Sequence, residues 1–138
     1  MGLREPEIYG DTTLEALNAR IVAYGEARGV VVECMQSNSE GALIDAIHGA
    51  FEFDGLVFNP AGYTHTSVAL HDALRSVQTP SIEVHLSNLF ARESFRHTSV
   101  TGAACLGVIM GLGPESYELA LDYLQSTFNH KNADPDHV

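Results

Sequence analysis

Hydrophobic and polar positions follow two rhythms along this chain. Short unbroken apolar runs such as Leu56-Val57-Phe58 stop at turn residues, while longer stretches repeat their apolar residues every three to four positions. An unbroken run suits a parallel strand covered on both faces, and the longer spacing suits one face of a helix. Leu3 to Gly10 has neither rhythm and carries Pro6 and Gly10, which predicts a loop. Asp11, Thr12 and Thr13 offer caps for a helix whose Leu14, Leu17, Ile21 and Tyr24 make a stripe ending near Gly29. Val30 to Gln36 predicts a strand, and Leu43, Ile44, Ile47 and Phe51 predict a second helical face. The run Leu56 to Phe58 is a buried strand delivering the polar loop Asn59 to Thr66, with Pro60 and Gly62 ending its ladder. Thr66 or Ser67 caps the next helix, marked by Leu70, Leu74 and Val77. Ser81 to Leu86 predicts another strand, Leu89 to Ser99 lacks a period, and Val100 to Gly113 contains a last strand. Tyr117, Leu121, Leu124 and Phe128 mark the final helix, followed by a polar, fraying tail.

Strands alternating with helices imply an α/β three-layer sandwich, because each crossover helix covers one face of a parallel sheet. The first recognisable element is a loop and a helix, where such a domain normally opens on a strand. With 138 residues and 45% hydrophobic content the chain suits one core, read as a single domain over residues 1–128 with a tail over 129–138.

Charge narrows the partners. A net charge of −11 with only seven Lys and Arg excludes the clustered cations of a nucleic-acid footprint and disfavours an anionic membrane surface. No apolar run approaches the roughly 20 residues of a spanning helix, and Met1 to Gly10 lacks the pattern of a signal peptide, so the chain reads as cytoplasmic. Cys34 and Cys105 sit in apolar runs without a C-x-x-C pattern and read as two buried free thiols. His48, His71, His97, His130 and His137 have no metal-ligand spacing.

Candidate chemistry gathers where strands end, the usual ligand side of an open parallel sheet. Glu83 and His85 are two apart, so on a strand they share a face, and a carboxylate fixes an imidazole's tautomer and favours its protonated form. His85 is therefore a candidate general acid, although the pair reads equally well as a core dyad that satisfies itself. Arg4, Arg92 and Arg96 lie in loops beside these motifs and suggest an anionic ligand, or else ordinary solvated ion pairs. Asn59 and His65 stand at a strand end as ligand groups or as loop caps.

Arg4-Glu5-Pro6-Glu7-Ile8-Tyr9-Gly10, Gln36-Ser37-Asn38, Asn59 to Leu70 and Ile82 to Asn88 resemble, in order and spacing, the signatures of the type II 3-dehydroquinate dehydratases. The resemblance continues through Ala91-Arg92-Glu93, Phe95-Arg96-His97 and Gly107 to Gly113. It implies a flavodoxin-like fold and the trans dehydration of 3-dehydroquinate to 3-dehydroshikimate in the shikimate pathway, with no metal and no organic cofactor. On the matched positions, Tyr9 is the base and Arg4 the guanidinium that favours its tyrosinate. His85 protonates the leaving hydroxyl, with Glu83 orienting it. Asn59 and the amides of Leu86 and Ser87 hold the substrate carboxylate, His65 and Arg96 bind ring hydroxyls, and Arg92 helps close a lid. Asp72 matches a residue that reaches a neighbouring subunit's site, and the family assembles as trimers grouped into a dodecamer. Members place an apolar strand and Gly-Pro-Asn-Leu-Asn-Leu-Leu-Gly before the Arg-Glu-Pro motif. Only Met1-Gly2-Leu3 stands there in this sequence, so a sheet without that strand is expected. A second reading is an impaired relic or non-enzymatic assembly partner that keeps the motifs. A flavin carrier or phospho-receiver lacks its glycine loop or acidic cluster here.

Overall fold

The computed structural model describes residues 13–133, with side chains through Phe128. The order of the regular elements is α1 (Leu14–Glu26), α2 (Glu40–His48), β1 (Leu56–Phe58), α3 (Val68–Ser76), β2 (Ser81–His85), β3 (Gly107–Met110) and α4 (Glu115–Ala133). Hydroxyl caps start three of the helices. Thr13, Ser39 and Ser67 accept hydrogen bonds from the backbone amides of Ala16, Ala42 and Leu70, each satisfying an orphan donor of the first turn. Ser67 also donates to Glu40 Oε2 at 2.5 Å, which ties the start of α3 to the start of α2.

The three strands form one parallel sheet in the order β1-β2-β3, with Phe58 opposite Glu83 and Glu83 opposite Val108. Alternation across β2 sorts its side chains into two layers. Ile82 and Val84 pack with Val57 and Ile109 on Ala120 and Leu124 of α4. On the other face Phe58 joins Ile47 of α2 and Leu70, Ala73 and Leu74 of α3. Helix α1 lies beside α4, with Leu17 and Ile21 packed on Leu86, Tyr117 and Leu121. Their outer edges are linked by Arg20 to Glu118 at 2.6 Å and by the Tyr24 hydroxyl donating to Asp122 at 2.7 Å. This is the α/β layering that the alternating pattern predicts. Among the described residues no helix is long and apolar enough to cross a membrane.

Several expectations need correction. Residues 30–36 do not form a strand. An extended segment joins a sheet only when a neighbour supplies its ladder bonds, and no described strand lies beside this one. The segment folds back on α1 instead: Val30 N–H donates to Gly25 O at 2.8 Å, and Val32 packs on the α1 cluster. Gly25 permits that approach, because a Cβ there would lie 2.6 Å from Val32 Cγ2. Val31 is left 87% exposed, and Cys34 on the same segment is exposed rather than buried. Phe51 lies beyond α2 in a short 3₁₀ turn, which rotates it off the helical stripe and leaves it 73% exposed. Phe128 likewise faces solvent, and α4 continues through Ala133, past Asn129 where the tail was expected to begin. The loop Leu3 to Gly10, with Arg4 and Tyr9, lies outside the described residues.

Candidate active site

Strand β2 ends at His85, and the chain leaves it through Leu86 and Ser87. Strand β1 ends one residue before Asn59 and runs into the 3₁₀ turn Ala61–His65. These neighbouring ends, with the turns over 89–97, line a narrow cleft of about 20 Å³. His85, Leu86 and Ser87 form its inner wall; Asn59, Ala61 and His65 form one side; Leu89, Arg92 and Arg96 form the other. Seven of the expected site residues therefore share one cleft: Asn59, His65, His85, Leu86, Ser87, Arg92 and Arg96. Glu83 stands behind His85. Asp72 does not join them: it lies on α3 with its side chain 72% exposed, 3.1 Å from His71 Nδ1.

The inner wall is fixed by Glu83, which is fully buried. His85 Nε2 lies 2.9 Å from Glu83 Oε2, Ser99 Oγ donates to the same oxygen at 2.7 Å, and Thr101 Oγ1 donates to Oε1. Burial alone would raise the Glu83 carboxyl, but the hydrogen bonds from His85, Thr101 and Ser99 outweigh it and hold the group below its ordinary value. An ionised carboxylate only accepts, so the imidazole presents Nε2–H to it and Nδ1 is the ring nitrogen left for the cleft. Close by, Cys105 is pushed up to about 12 by burial and by the Glu83 charge, so its thiol stays neutral.

Asn59 is held by two contacts. Its Oδ1 accepts from Ala61 N–H at 3.1 Å and its Nδ2 donates to the Tyr117 hydroxyl at 3.0 Å. With two N–H donors on that nitrogen, a further one is available for a ligand oxygen. The first of those contacts closes a turn that places Ala61 at φ 51°, in the left-handed region.

The rim is looser. Arg96 Nε pairs with Glu93 Oε2 at 2.7 Å, and its guanidinium stacks on the Phe95 ring at 4.8 Å. The Arg96 hydrogen bond holds the exposed Glu93 carboxyl below its ordinary value. His65 Nδ1 is 2.8 Å from Thr98 O; a carbonyl only accepts, so Nδ1 carries the proton and Nε2 is the remaining position. His97 in the same way donates from Nε2 to Arg92 O at 2.9 Å, bracing the arginine's turn.

Sequence reasoning missed Ser99, Thr101 and Tyr117 as site-forming residues. The first two lie where the aperiodic stretch meets the segment of the last strand, in turns outside any strand, and no local pattern marks them. Tyr117 was read only as a core position; its ring does pack in the core while its hydroxyl reaches Asn59.

A carboxylate–imidazole pair at the end of a parallel strand, beside a cleft lined by arginines and an amide, is an arrangement able to do acid–base chemistry on an anionic ligand, on an α/β scaffold. Residues 1–125 match the family described as Dehydroquinase class II, and the chain belongs to that family. A protein of Ruegeria pomeroyi named 3-dehydroquinate dehydratase is 52% identical over 134 residues, covering 96% of this chain and 90% of that protein. Among solved structures, a type II dehydroquinase from Butyrivibrio crossotus superposes with a TM-score of 0.87 at 48% identity, covering 90% of this chain and 88% of the other. Another, from Propionibacterium acnes, gives 0.86 at 47% identity, covering 91% and 87%.

Proposed function

We infer that this protein is a hydro-lyase that dehydrates 3-dehydroquinate to 3-dehydroshikimate in the shikimate pathway, acting as a single catalytic domain. The observation that carries the mechanism is the buried Glu83–His85 pair, 2.9 Å apart, with His85 on the inner wall of a cleft that also holds Asn59, His65 and Arg96. Loss of water from a β-hydroxy ketone needs a base to take the proton beside the carbonyl and an acid to protonate the departing hydroxyl. For a trans elimination the two must face opposite sides of the ring. His85 is the acid: the ionised Glu83 behind it stabilises positive charge on the ring, and Nδ1 is the nitrogen that would carry the proton to the substrate. Tyr9 is the base, with Arg4 favouring its tyrosinate, and Arg92 takes part in closing that segment over the cleft.

Binding follows from the same walls. Asn59 and the backbone amides of Leu86 and Ser87 bind the substrate carboxylate, and His65 and Arg96 bind its ring hydroxyls. The acid–base chemistry asks for neither a metal ion nor an organic cofactor. Asp72 has a different task, since it points away from its own cleft: it would serve the site of a neighbouring copy in trimers grouped into a dodecamer, in the cytoplasm. Calorimetry tests the ligand class. A cyclic polyhydroxylated carboxylate of the quinate type should bind and a flavin should not; tight flavin binding with none of the quinate analogue would overturn the reading.

A further inference from the structure

Behind the acid–base pair lies a layer of hydroxyls that the reaction itself does not use. Thr101 is fully buried and Ser99 half-buried, and both spend their hydroxyl protons on Glu83. Ser99 Oγ in turn accepts from Gly102 N–H at 2.7 Å, which fixes the direction of its own donation. The backbone is shaped for this contact. A Cβ on Gly102 would stand 2.8 Å from Ser99 Oγ and 3.2 Å from Glu83 Oε2, so this glycine lets the turn close on the carboxylate. The result is a directed chain, Gly102 N–H to Ser99 to Glu83, meeting His85 Nε2–H at the same oxygen.

We propose that Thr101 and Ser99 are positioning residues for the general acid, fixing the Glu83 carboxylate so that Oε2 receives His85 Nε2–H and Nδ1 is kept for the substrate. This rests on the reading of His85 as the acid. The alternative use of the two hydroxyls, filling space in the core, would not require both to donate to one carboxylate whose third donor is the imidazole. The lowered Glu83 carboxyl agrees, since each donor favours the charged acceptor. Among the described residues the other titratable or charged groups around the pair are Cys105, held neutral, and His65, Arg92 and Arg96 of the cleft. From the flanking strands the partners of Glu83 are Phe58 and Val108, which do not titrate, and from α4 Ser116 reaches only the His85 carbonyl.

Thr101→Val keeps the shape and removes the donor; Thr101→Ser restores it. Thr101→Val should lower kcat roughly 10- to 100-fold, part of the 10² to 10⁴ a general acid supplies, with KM within about twofold of wild type. The sign of the pH effect is fixed by the carboxyl. Glu83 is held low partly by the hydroxyls that donate to it, so removing a donor should move protonation of its carboxylate, followed by carbon NMR of the unliganded protein, to higher pH. Thr101→Ser should return both values. Nitrogen NMR of the unliganded protein gives an independent reading: the Nε2–H form of His85 should dominate in wild type and in Thr101→Ser and give way in Thr101→Val. Ser99→Ala, at a half-buried site, should show the same changes, and it carries the test if Thr101→Val does not fold. An unmoved Glu83 carboxylate titration and an unmoved ring signal would overturn the proposal, as would loss of melting temperature in Thr101→Val and Thr101→Ser alike with no change in either readout. If wild type fails to dehydrate 3-dehydroquinate, the proposed activity fails while the ring signal still decides the positioning claim.

Discussion

The inner wall of the cleft and its outer rim hold their charges in opposite ways. Glu83 is buried and takes hydrogen bonds from three side chains, whereas Arg96 stacks on Phe95 and pairs with Glu93, whose side chain is 56% exposed. Removing a partner from a buried ionised group costs about 3–5 kcal/mol, whereas a solvent-screened pair such as Arg96–Glu93 contributes little. The first arrangement cannot be exchanged during a reaction; the second can give way to a ligand at little cost. On the proposed mechanism the acid that aims a proton would be set in the rigid wall, and the cations that reach and release substrate oxygens would stand on the rim.

The largest effect should come from breaking the inner wall at its working end. His85→Asn keeps a polar side chain but removes the proton donor, and kcat should fall about 10²- to 10⁴-fold with the unfolding midpoint little changed. Tyr9→Phe should match it if Tyr9 is the base; steady-state kinetics on both variants, with near-normal turnover in either, would remove that residue from the mechanism.

On the rim the loss should appear in binding. Arg96→Ala gives up a charge-assisted contact of about 1.5–3 kcal/mol, which corresponds to a rise in KM of roughly 10- to 100-fold, with kcat less affected. A change confined to kcat would place Arg96 with the inner wall and erase the contrast.

Stability should separate the two regions as well. Glu83→Gln sets an amide N–H₂ against hydroxyls that were donating to a carboxylate, at a cost of about 1–3 kcal/mol near neutral pH. Because the folded carboxyl lies below its ordinary value of 4.5, its contribution is present above that value and is lost as pH falls through the folded one. Chemical unfolding of wild type should therefore weaken in acid below about pH 4.5, and the Glu83→Gln curve should be flatter there. Loss of the rim pair in Glu93→Gln should leave the unfolding midpoint nearly unchanged.

A smaller effect is expected at Ala61, where the turn beside Asn59 uses a left-handed residue with a side chain. That conformation costs a non-glycine residue about 1–2 kcal/mol, and glycine loses about 0.4–1 kcal/mol through the freedom of its unfolded chain. Ala61→Gly should thus be neutral to about 1 kcal/mol stabilising by thermal unfolding; clear destabilisation would mean the Ala61 methyl group matters more than the backbone.

Much of this contrast was legible in the sequence, for reasons that differ by residue. Leu56 to Phe58 announced itself as a short apolar run closed by turn residues, Ser81 to Leu86 was read as a strand despite its polar Glu83 and His85, and the period of two placed those two on one face. The helix caps at Thr13 and Ser67 were readable because a hydroxyl before an apolar stripe serves a local backbone need. Residues 30–36 misled because strand propensity is local while a ladder requires a partner elsewhere in the chain. Phe51 and Cys34 misled because an apolar run does not say which side of the fold it will meet. Ser99 and Thr101 were invisible for the same reason in reverse: their role exists only once a loop sixteen to eighteen residues downstream of Glu83 folds back onto it.

The most direct test of the account is to incubate the purified protein with 3-dehydroquinate and follow the conjugated ketone of 3-dehydroshikimate by its ultraviolet absorbance, confirming the product by mass. Steady formation of a product lighter by one water is the predicted result. A folded protein that binds the quinate analogue yet releases no 3-dehydroshikimate would contradict the account at its centre.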